Sequence, residues 1–368
     1  MTAVRWREVL REAARNVTTG TTRALIALVA FAAVVGVTTV AQVRGVADVA
    51  QQAYAWRAQG SSVQIVQLAG AIDGAQCDAL AGSGGIVSSG AVRATAATRL
   101  AVLPSTPVET FEVTPGLGRL LGVTTGPHHA PGGVWIAEDL ADVVGRSTDT
   151  VHVLRGDGSG HDIQVAGVYP YPADGRMPAL AYTLLAPVPA TGRFDSCWAE
   201  VWPENPAAIT LLMLSADAPV LDGGRRDAPQ VVQLNATAGR AFDASARFAA
   251  LPLWPLTAAA VVLTAALAVT LVRSRRLELA SALHAGIDKP SMLAQLQAET
   301  LAWTLTANIV VVPAAWAASV WANPDPAWTA FAPALRTTIL ALVTAHLATL
   351  ATTCTLRERH LFRHFRQR

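Results

Sequence analysis

Long uncharged runs of hydrophobic residues are spread unevenly along this chain. They occupy residues 24–43, 248–272, 300–324 and 337–356. Each holds about the 20 apolar residues that cross a hydrocarbon core as a helix. One run stands near the start and three are bunched toward the end. Between the first and second, residues 44–247 form a polar, turn-rich stretch of roughly 200 residues, the size of a domain. The pattern predicts an α-helical membrane protein with four transmembrane helices and a mixed α/β domain between helices 1 and 2.

Finer periodicity fills in the connections. Trp6, Val9, Leu10, Ala13 and Val17 recur at helical spacing within residues 2–22, beside Arg5, Arg7, Arg11 and Arg15. Such a helix lies along a membrane surface with its apolar side in the acyl boundary; a disordered basic tail is the alternative. After the first run the helical period continues through Val43, Val46, Ala47, Ala50, Ala53 and Tyr54 until Gly60, which predicts a stalk. Phe242, Ala246 and Ala249 predict a matching stalk on the return, with a kink at Pro252 and Pro255. Inside the domain, residues 62–68, 134–137, 151–154, 163–169 and 180–185 read as strands. Residues 70–74 read as a turn, and residues 138–144 as a short helix stopped by Gly145. Asp157-Gly158 marks a hairpin turn, and residues 216–229 an exposed loop.

Composition agrees: 52% of residues are hydrophobic, 15% are charged and 6% are aromatic. Charge placement then sets the topology. Arginines at 5, 7, 11, 15 and 23 precede the first span. Arg273, Arg275, Arg276 and Lys289 lie between the second and third, and arginines at 357, 359, 363, 366 and 368 follow the fourth. The loop between spans three and four holds Arg336 against Asp325. The positive-inside rule puts the first three regions in the cytoplasm. Both termini are then cytoplasmic, and the large domain is extracytoplasmic. The first run exceeds the apolar core of a signal peptide and is bracketed by Arg23 and Arg44, which favours a retained span. Ala41 and Gly45 leave cleavage as the alternative. The expected division is a cytoplasmic amphipathic helix (1–23), span one (24–43), the extracytoplasmic domain with stalk helices (44–247) and span two (248–272). A cytoplasmic loop (273–299), span three (300–324), span four (337–356) and a basic cytoplasmic tail (357–368) complete it.

The basic inner face suits anionic lipid headgroups. It is broken into short segments without interleaved aromatics, which argues against a nucleic-acid surface. Abundant alanine, arginine in place of lysine and a single Lys289 resemble the product of a GC-rich bacterial genome. Cys77 and Cys197 both fall in the outer domain, where an oxidising compartment makes a disulfide the default expectation; two buried free thiols are the alternative. Closing a loop of about 120 residues would contribute roughly 4–5 kcal/mol in the chain-entropy model. Cys354, in span four, reads as packing.

Candidate chemistry is sparse. His128, His129, His152 and His161 lack zinc-ligand spacing and read as solvated loop residues. No nucleophile turn of the form Gly-x-Ser-x-Gly is present. No phosphate-cradling Gly-x-x-x-x-Gly-Lys-Ser/Thr is present either, since the only lysine follows Ile287-Asp288. No catalytic, cofactor or metal residue is therefore assigned. His346 lies within span four; a neutral imidazole bonded to a neighbouring helix is the plain reading and a functional intramembrane group the other.

The whole layout resembles the FtsX-like, MacB-like ABC transporter permeases. So do two regions of the sequence. Residues 133–145 (GVWIAEDLADVVG), then 149–154 and 163–168, are similar to that family's outer core domain, with Ser147-Thr148 where Val-Gly is usual. Residues 275–286 are similar to its inner loop: Arg275-Arg276-x-Glu278-x-Ala280, with Gly286 eight residues after the glutamate. Leu283 stands where an arginine is common. The resemblance implies a multi-pass protein of the bacterial plasma membrane that transmits motion driven by ATP. ATP and Mg would be bound by a separate cytoplasmic ABC ATPase dimer, contacted by Arg276, Glu278, Leu283 and Gly286 as contact or hinge positions. For Arg275 and Arg276 the competing expectation is headgroup anchoring, with Glu278 paired to them in solvent. A second permease subunit, identical or paralogous, is implied. The expected role is export of an amphiphile, peptide or lipid-like substrate. The alternatives are a non-transporting regulator of a cell-wall hydrolase or sensor, acting through an extracytoplasmic protein, and a membrane-anchored enzyme or receptor.

Overall fold

The computed structural model describes residues 6–19, 23–125, 132–145, 149–154, 159–217 and 228–356. Arg5, His128, His129, Ser147, Thr148, the 157–158 turn, most of the 216–229 loop and the 357–368 tail lie outside the described residues. In chain order, the first elements are α1 (Trp6–Thr18), α2 (Ala24–Ala58), β1 (Val63–Asp73), α3 (Gly74–Ala79), β2 (Ile86–Ala94), β3 (Thr98–Leu100), β4 (Leu103–Val113) and α4 (Pro115–Leu120). There follow β5 (Thr124–Thr125), β6 (Val134–Ala137), α5 (Glu138–Val144), β7 (Thr150–Leu154), β8 (Gly160–Tyr169), β9 (Thr183–Pro187), β10 (Arg193–Val201), α6 (Pro206–Met213) and β11 (Gln230–Gln233). The chain ends in α7 (Ala244–Ala249), α8 (Leu253–Ser274), α9 (Arg276–His284), α10 (Lys289–Val320) and α11 (Ala327–Cys354). Two compact units result: Met1–Gln52 with Ala244–Arg368, and Ala53–Asp243.

The helical unit contains four helical stretches long and apolar enough to cross a membrane: Ala24–Ala58, Ala244–Ser274 (α7 with α8), Lys289–Val320 and Ala327–Cys354. Their shared core is narrow. Ala27, Phe31 and Val35 of α2 meet Trp303, Ala307 and Val311 of α10 and Ala341 and Ala345 of α11. Small residues let these backbones approach, and large apolar ones (Leu25, Ile309, Val262, Leu347) face outward. At the end where α8 begins, Trp254, Trp316, Trp321 and Trp328 are exposed, as in the aromatic belt of a membrane interface.

Several expectations change here. The fourth long helix begins at Ala327, so Arg336 sits inside α11 and not in a loop. Its guanidinium lies 4.2 Å from the Trp254 ring centroid, a cation–π contact that suits an interfacial anchor. The return stalk is the six-residue α7, shorter than residues 44–58 by which α2 runs on past the expected first span. Pro252 caps α8 and Pro255 lies in its first turn, where the lost N–H has no ladder partner, so these prolines start the helix and do not kink it. Helix α8 ends at Arg275 (φ −102, ψ 12), and the same residue caps the start of α9.

The second unit is built on an 11-stranded sheet of order β11-β1-β10-β2-β4-β3-β7-β8-β6-β9, with β5 on β8. A parallel pairing of β4 with β9 closes the run from β4 to β9 on itself. Leu100, Val108, Val113, Ile136, Val151 and Leu184 belong to the main core of this unit. A second core lies where α3 and α6 meet β1, β2 and β10, and it holds Cys77 and Cys197, which are disulfide-bonded with Cα atoms 5.8 Å apart. Residues 70–74 are not a simple turn: β1 runs through them to Asp73 with a register shift between Gln67 and Ile72. Glycine is demanded where α4 presses on β2: a Cβ on Gly90 would lie 2.2 Å from Leu117 N, and one on Gly116 2.1 Å from Ser89 O.

Candidate functional site

The helical unit is tied at both ends by buried polar side chains. At the end carrying α1 and α9, Glu299 of α10 is 4% exposed. Its Oε2 accepts from Arg275 Nη1 at 2.6 Å, and its Oε1 accepts from Asn16 Nδ2 at 3.0 Å and Gln295 Nε2 at 3.2 Å. Arg275 turns its other edge to Glu278, with Nε to Oε2 at 3.0 Å and Nη2 to Oε1 at 2.6 Å. Burial works against the arginine's charge, but the two carboxylates outweigh it and hold the guanidinium above its ordinary pKa. One cluster thus joins α1, the α8–α9 junction and α10. Asn16 and Ala13 of α1 are buried.

Local sequence explains how α9 is held. Leu279 and Leu283 share an apolar cluster with Val272 of α8 and with Met292 and Leu296 of α10. The helix ends in a paired turn. Ile287 N–H donates to Ala282 O and Gly286 N–H to Leu283 O, both at 3.1 Å. This is the Schellman arrangement, which needs a left-handed residue, and Gly286 supplies φ +94. Asp288 then caps α10 by accepting from Ser291 N–H at 3.2 Å and Ser291 Oγ at 2.7 Å. These bonds hold the Asp288 carboxyl below the usual carboxylate range. Pro290 sits in the first turn, as its ring prefers. Residues 284–290 are exposed, including the large apolar Ile287.

The four residues expected to couple to a partner separate into different roles. Arg276 is half-buried and Glu278 exposed, but Glu278 is engaged by Arg275, the pairing given above as its alternative. Leu283 is 5% exposed and packs inside, so it is a core residue and not a surface contact. Gly286 shapes the turn. Sequence reasoning missed His284 and Ile287 at the exposed tip, and Asn16 and Gln295 in the buried cluster. An isoleucine directly after a helix-stopping glycine, flanked by polar residues, is the signal that could have found Ile287.

At the opposite end the tie is uncharged. Gln42 Nε2 donates to Leu253 O at 2.8 Å and Thr257 Oγ1 at 2.9 Å, and Thr337 Oγ1 donates to Gln42 Oε1 at 3.0 Å. His346 Nδ1 donates to Gln297 Oε1 at 2.6 Å while Gln297 Nε2 donates to His346 O at 3.0 Å, so this imidazole joins α11 to α10. Among the described residues, no group of three or more His, Cys, Asp or Glu is arranged to hold a metal. His152 pairs with Asp162 at 2.7 Å.

No protein-family model and no curated protein matches the chain. Solved structures do. The chain is similar to the periplasmic region of MacB from Actinobacillus actinomycetemcomitans, with TM-score 0.34, 12% identity, and 48% of this chain and 91% of that one covered. It is similar to a domain of a putative permease protein from Porphyromonas gingivalis (0.33, 14%, 47% and 88%). It is also similar to the extracellular domain of the noncanonic ABC-type transporter YknZ from Gram-positive bacteria (0.30, 12%, 46% and 99%). Each of these is a single region or domain, and the likeness covers just under half of this chain.

Proposed function

We propose that this chain is the permease subunit of an ABC transporter of the FtsX and MacB type. The tip formed by α9 and residues 284–290 docks on a separate cytoplasmic ATPase, which binds and hydrolyses ATP. The helices pass the resulting motion to the Ala53–Asp243 unit, outside the membrane, for export of an amphiphile, peptide or lipid-like substrate. Two copies, or this chain and a paralogue, sit on an ATPase dimer.

The observation that carries this reading is the fixing of α9. A loop that only reverses the chain between two spans needs no structure of its own. Here the short helix is bound on one face by Leu279 and Leu283 and at its root by the Arg275–Glu299 pair, while its tip is left exposed. That is the build of a part that receives force. Arg11, Arg15, Arg273, Arg275, Arg276 and Lys289 gather on the helices of this end, which supports a cytoplasmic location.

The test is Ile287→Asp in the full chain, co-expressed with a candidate ABC-type ATPase from the same genome that co-purifies with the wild type. The variant should insert and melt as the wild type does, yet lose co-purification of the ATPase and stimulation of its activity. Unchanged binding and stimulation would remove the docking assignment. Glu278→Arg should also weaken the complex, but it strips Arg275 of a partner as well, so its effect mixes docking with folding.

A further inference from the structure

The α/β unit contains a cleft of about 520 Å³, within the range of small-molecule sites. Its wall includes Arg57 from the end of α2, Arg119 from the end of α4, and Arg176. Two of these guanidiniums are locked in place. Arg57 donates through Nε and Nη2 to Glu200 Oε1 at 3.0 and 2.8 Å and lies 5.4 Å from the Trp202 ring centroid. Arg176 donates to both oxygens of Asp174 at 2.9 and 2.7 Å and to Ala58 O at 3.1 Å, 5.1 Å from the Tyr171 ring centroid. That contact holds the Asp174 carboxyl below its ordinary value. Arg119 is different: it is exposed on the cleft and has no carboxylate partner among the described residues. Three cations therefore face two engaged carboxylates, leaving one positive charge unmatched. Tyr54, Leu121, Pro170 and Pro172 supply apolar wall beside it.

We propose that this cleft binds an amphiphile bearing a single phosphate or carboxylate head group. Arg119 grips the head group through its planar fork of donors, which matches such oxyanions in two-point contact. Arg57 and Arg176, each held by its own carboxylate, are not free to fold onto the ligand. The apolar chain lies along Tyr54, Leu121 and the two prolines. The proposal goes beyond the coupling reading and stands without it, because binding here needs no ATPase.

The experiment is isothermal titration of hexyl phosphate into the full chain held in phosphatidylcholine nanodiscs. Saturable binding is expected. Arg119→Ala should weaken it at least about tenfold and Arg119→Glu should eliminate it, while Arg99→Ala, an exposed arginine on β3 outside the cleft, should leave it unchanged. Inorganic phosphate and hexyl glucoside should each bind far more weakly. The proposal is overturned if the wild type does not bind, if Arg119→Ala binds equally well, or if either control ligand matches hexyl phosphate. Exchanging the disc lipid for phosphatidylglycerol assigns the source. Competition identifies a bilayer headgroup as occupant, and undiminished binding a soluble amphiphile; either supports the site. Retained hexyl phosphate binding with a failed Ile287→Asp test would sink the coupling reading alone.

Discussion

The two ends of the helical unit solve the same packing problem with different chemistry. At one end three elements are joined through Glu299 and Arg275, both charged and nearly sealed from solvent. At the other, α2, α8 and α11 are joined through Gln42, Thr257 and Thr337, all neutral. An uncharged amide satisfied by hydroxyls and a carbonyl is tolerable beside lipid. A charged pair is not, unless it sits near an aqueous boundary and every group is engaged. The neutral end is therefore a seam that lipid can surround, while the charged end holds only because each of its buried charges is paired.

The largest effect expected is on the charged tie. Glu299→Ala leaves Arg275 buried without half its partners and should lower stability by about 3–5 kcal/mol. Denaturant unfolding of the full chain in detergent would read it. Restoration of most of the loss by a further Arg275→Met would show that the penalty lies in the stranded charge. The neutral tie should matter less: Gln42→Leu should cost about 0.6–1.7 kcal/mol, the range of hydrogen bonds between membrane helices. If the two variants unfold alike, the contrast between the ends is wrong. A smaller effect follows from Asp288. Its carboxyl is held below the usual range, so its contribution is full above the unfolded value near 4 and is lost as pH falls through the lower folded value. Protection from hydrogen exchange at the start of α10, measured against the intrinsic rate at each pH, should therefore fall on acidification in the wild type, and an Asp288→Ala chain should show little such change. Ile287→Asp should have the smallest effect on unfolding and the largest on ATPase retention; a drop in melting temperature would mean that the tip is part of the fold.

The apolar runs were legible because hydropathy over a span-length window needs no knowledge of neighbours. Helix α5 and its stop at Gly145 were legible too, since the cap is local. The missed strands failed for identifiable reasons. Strand β4 carries Pro104 and Pro107, which normally demote a strand. Strand β2 carries Ser88, Ser89 and Gly90, a loop-like composition, and Gly90 must be glycine because Leu117 of α4 lies against it. The buried cluster was out of reach for another reason. Asn16 and Glu299 are 283 positions apart, and nothing local marks an asparagine on a basic amphipathic helix as the partner of a carboxylate. The sequence reading of Arg275, a motif arginine with headgroup anchoring as the competing role, carries no sign of its bond to Glu299.

The junction at Arg275 has a mechanical consequence. One residue closes α8 and opens α9, so no spare linker lies between them in which a twist could be dissipated. A load that tilts α9 must either rotate α8 with it or prise the guanidinium off Glu299. The joint is geared: while Arg275 holds Glu299, α9 has little freedom to tilt independently of α8.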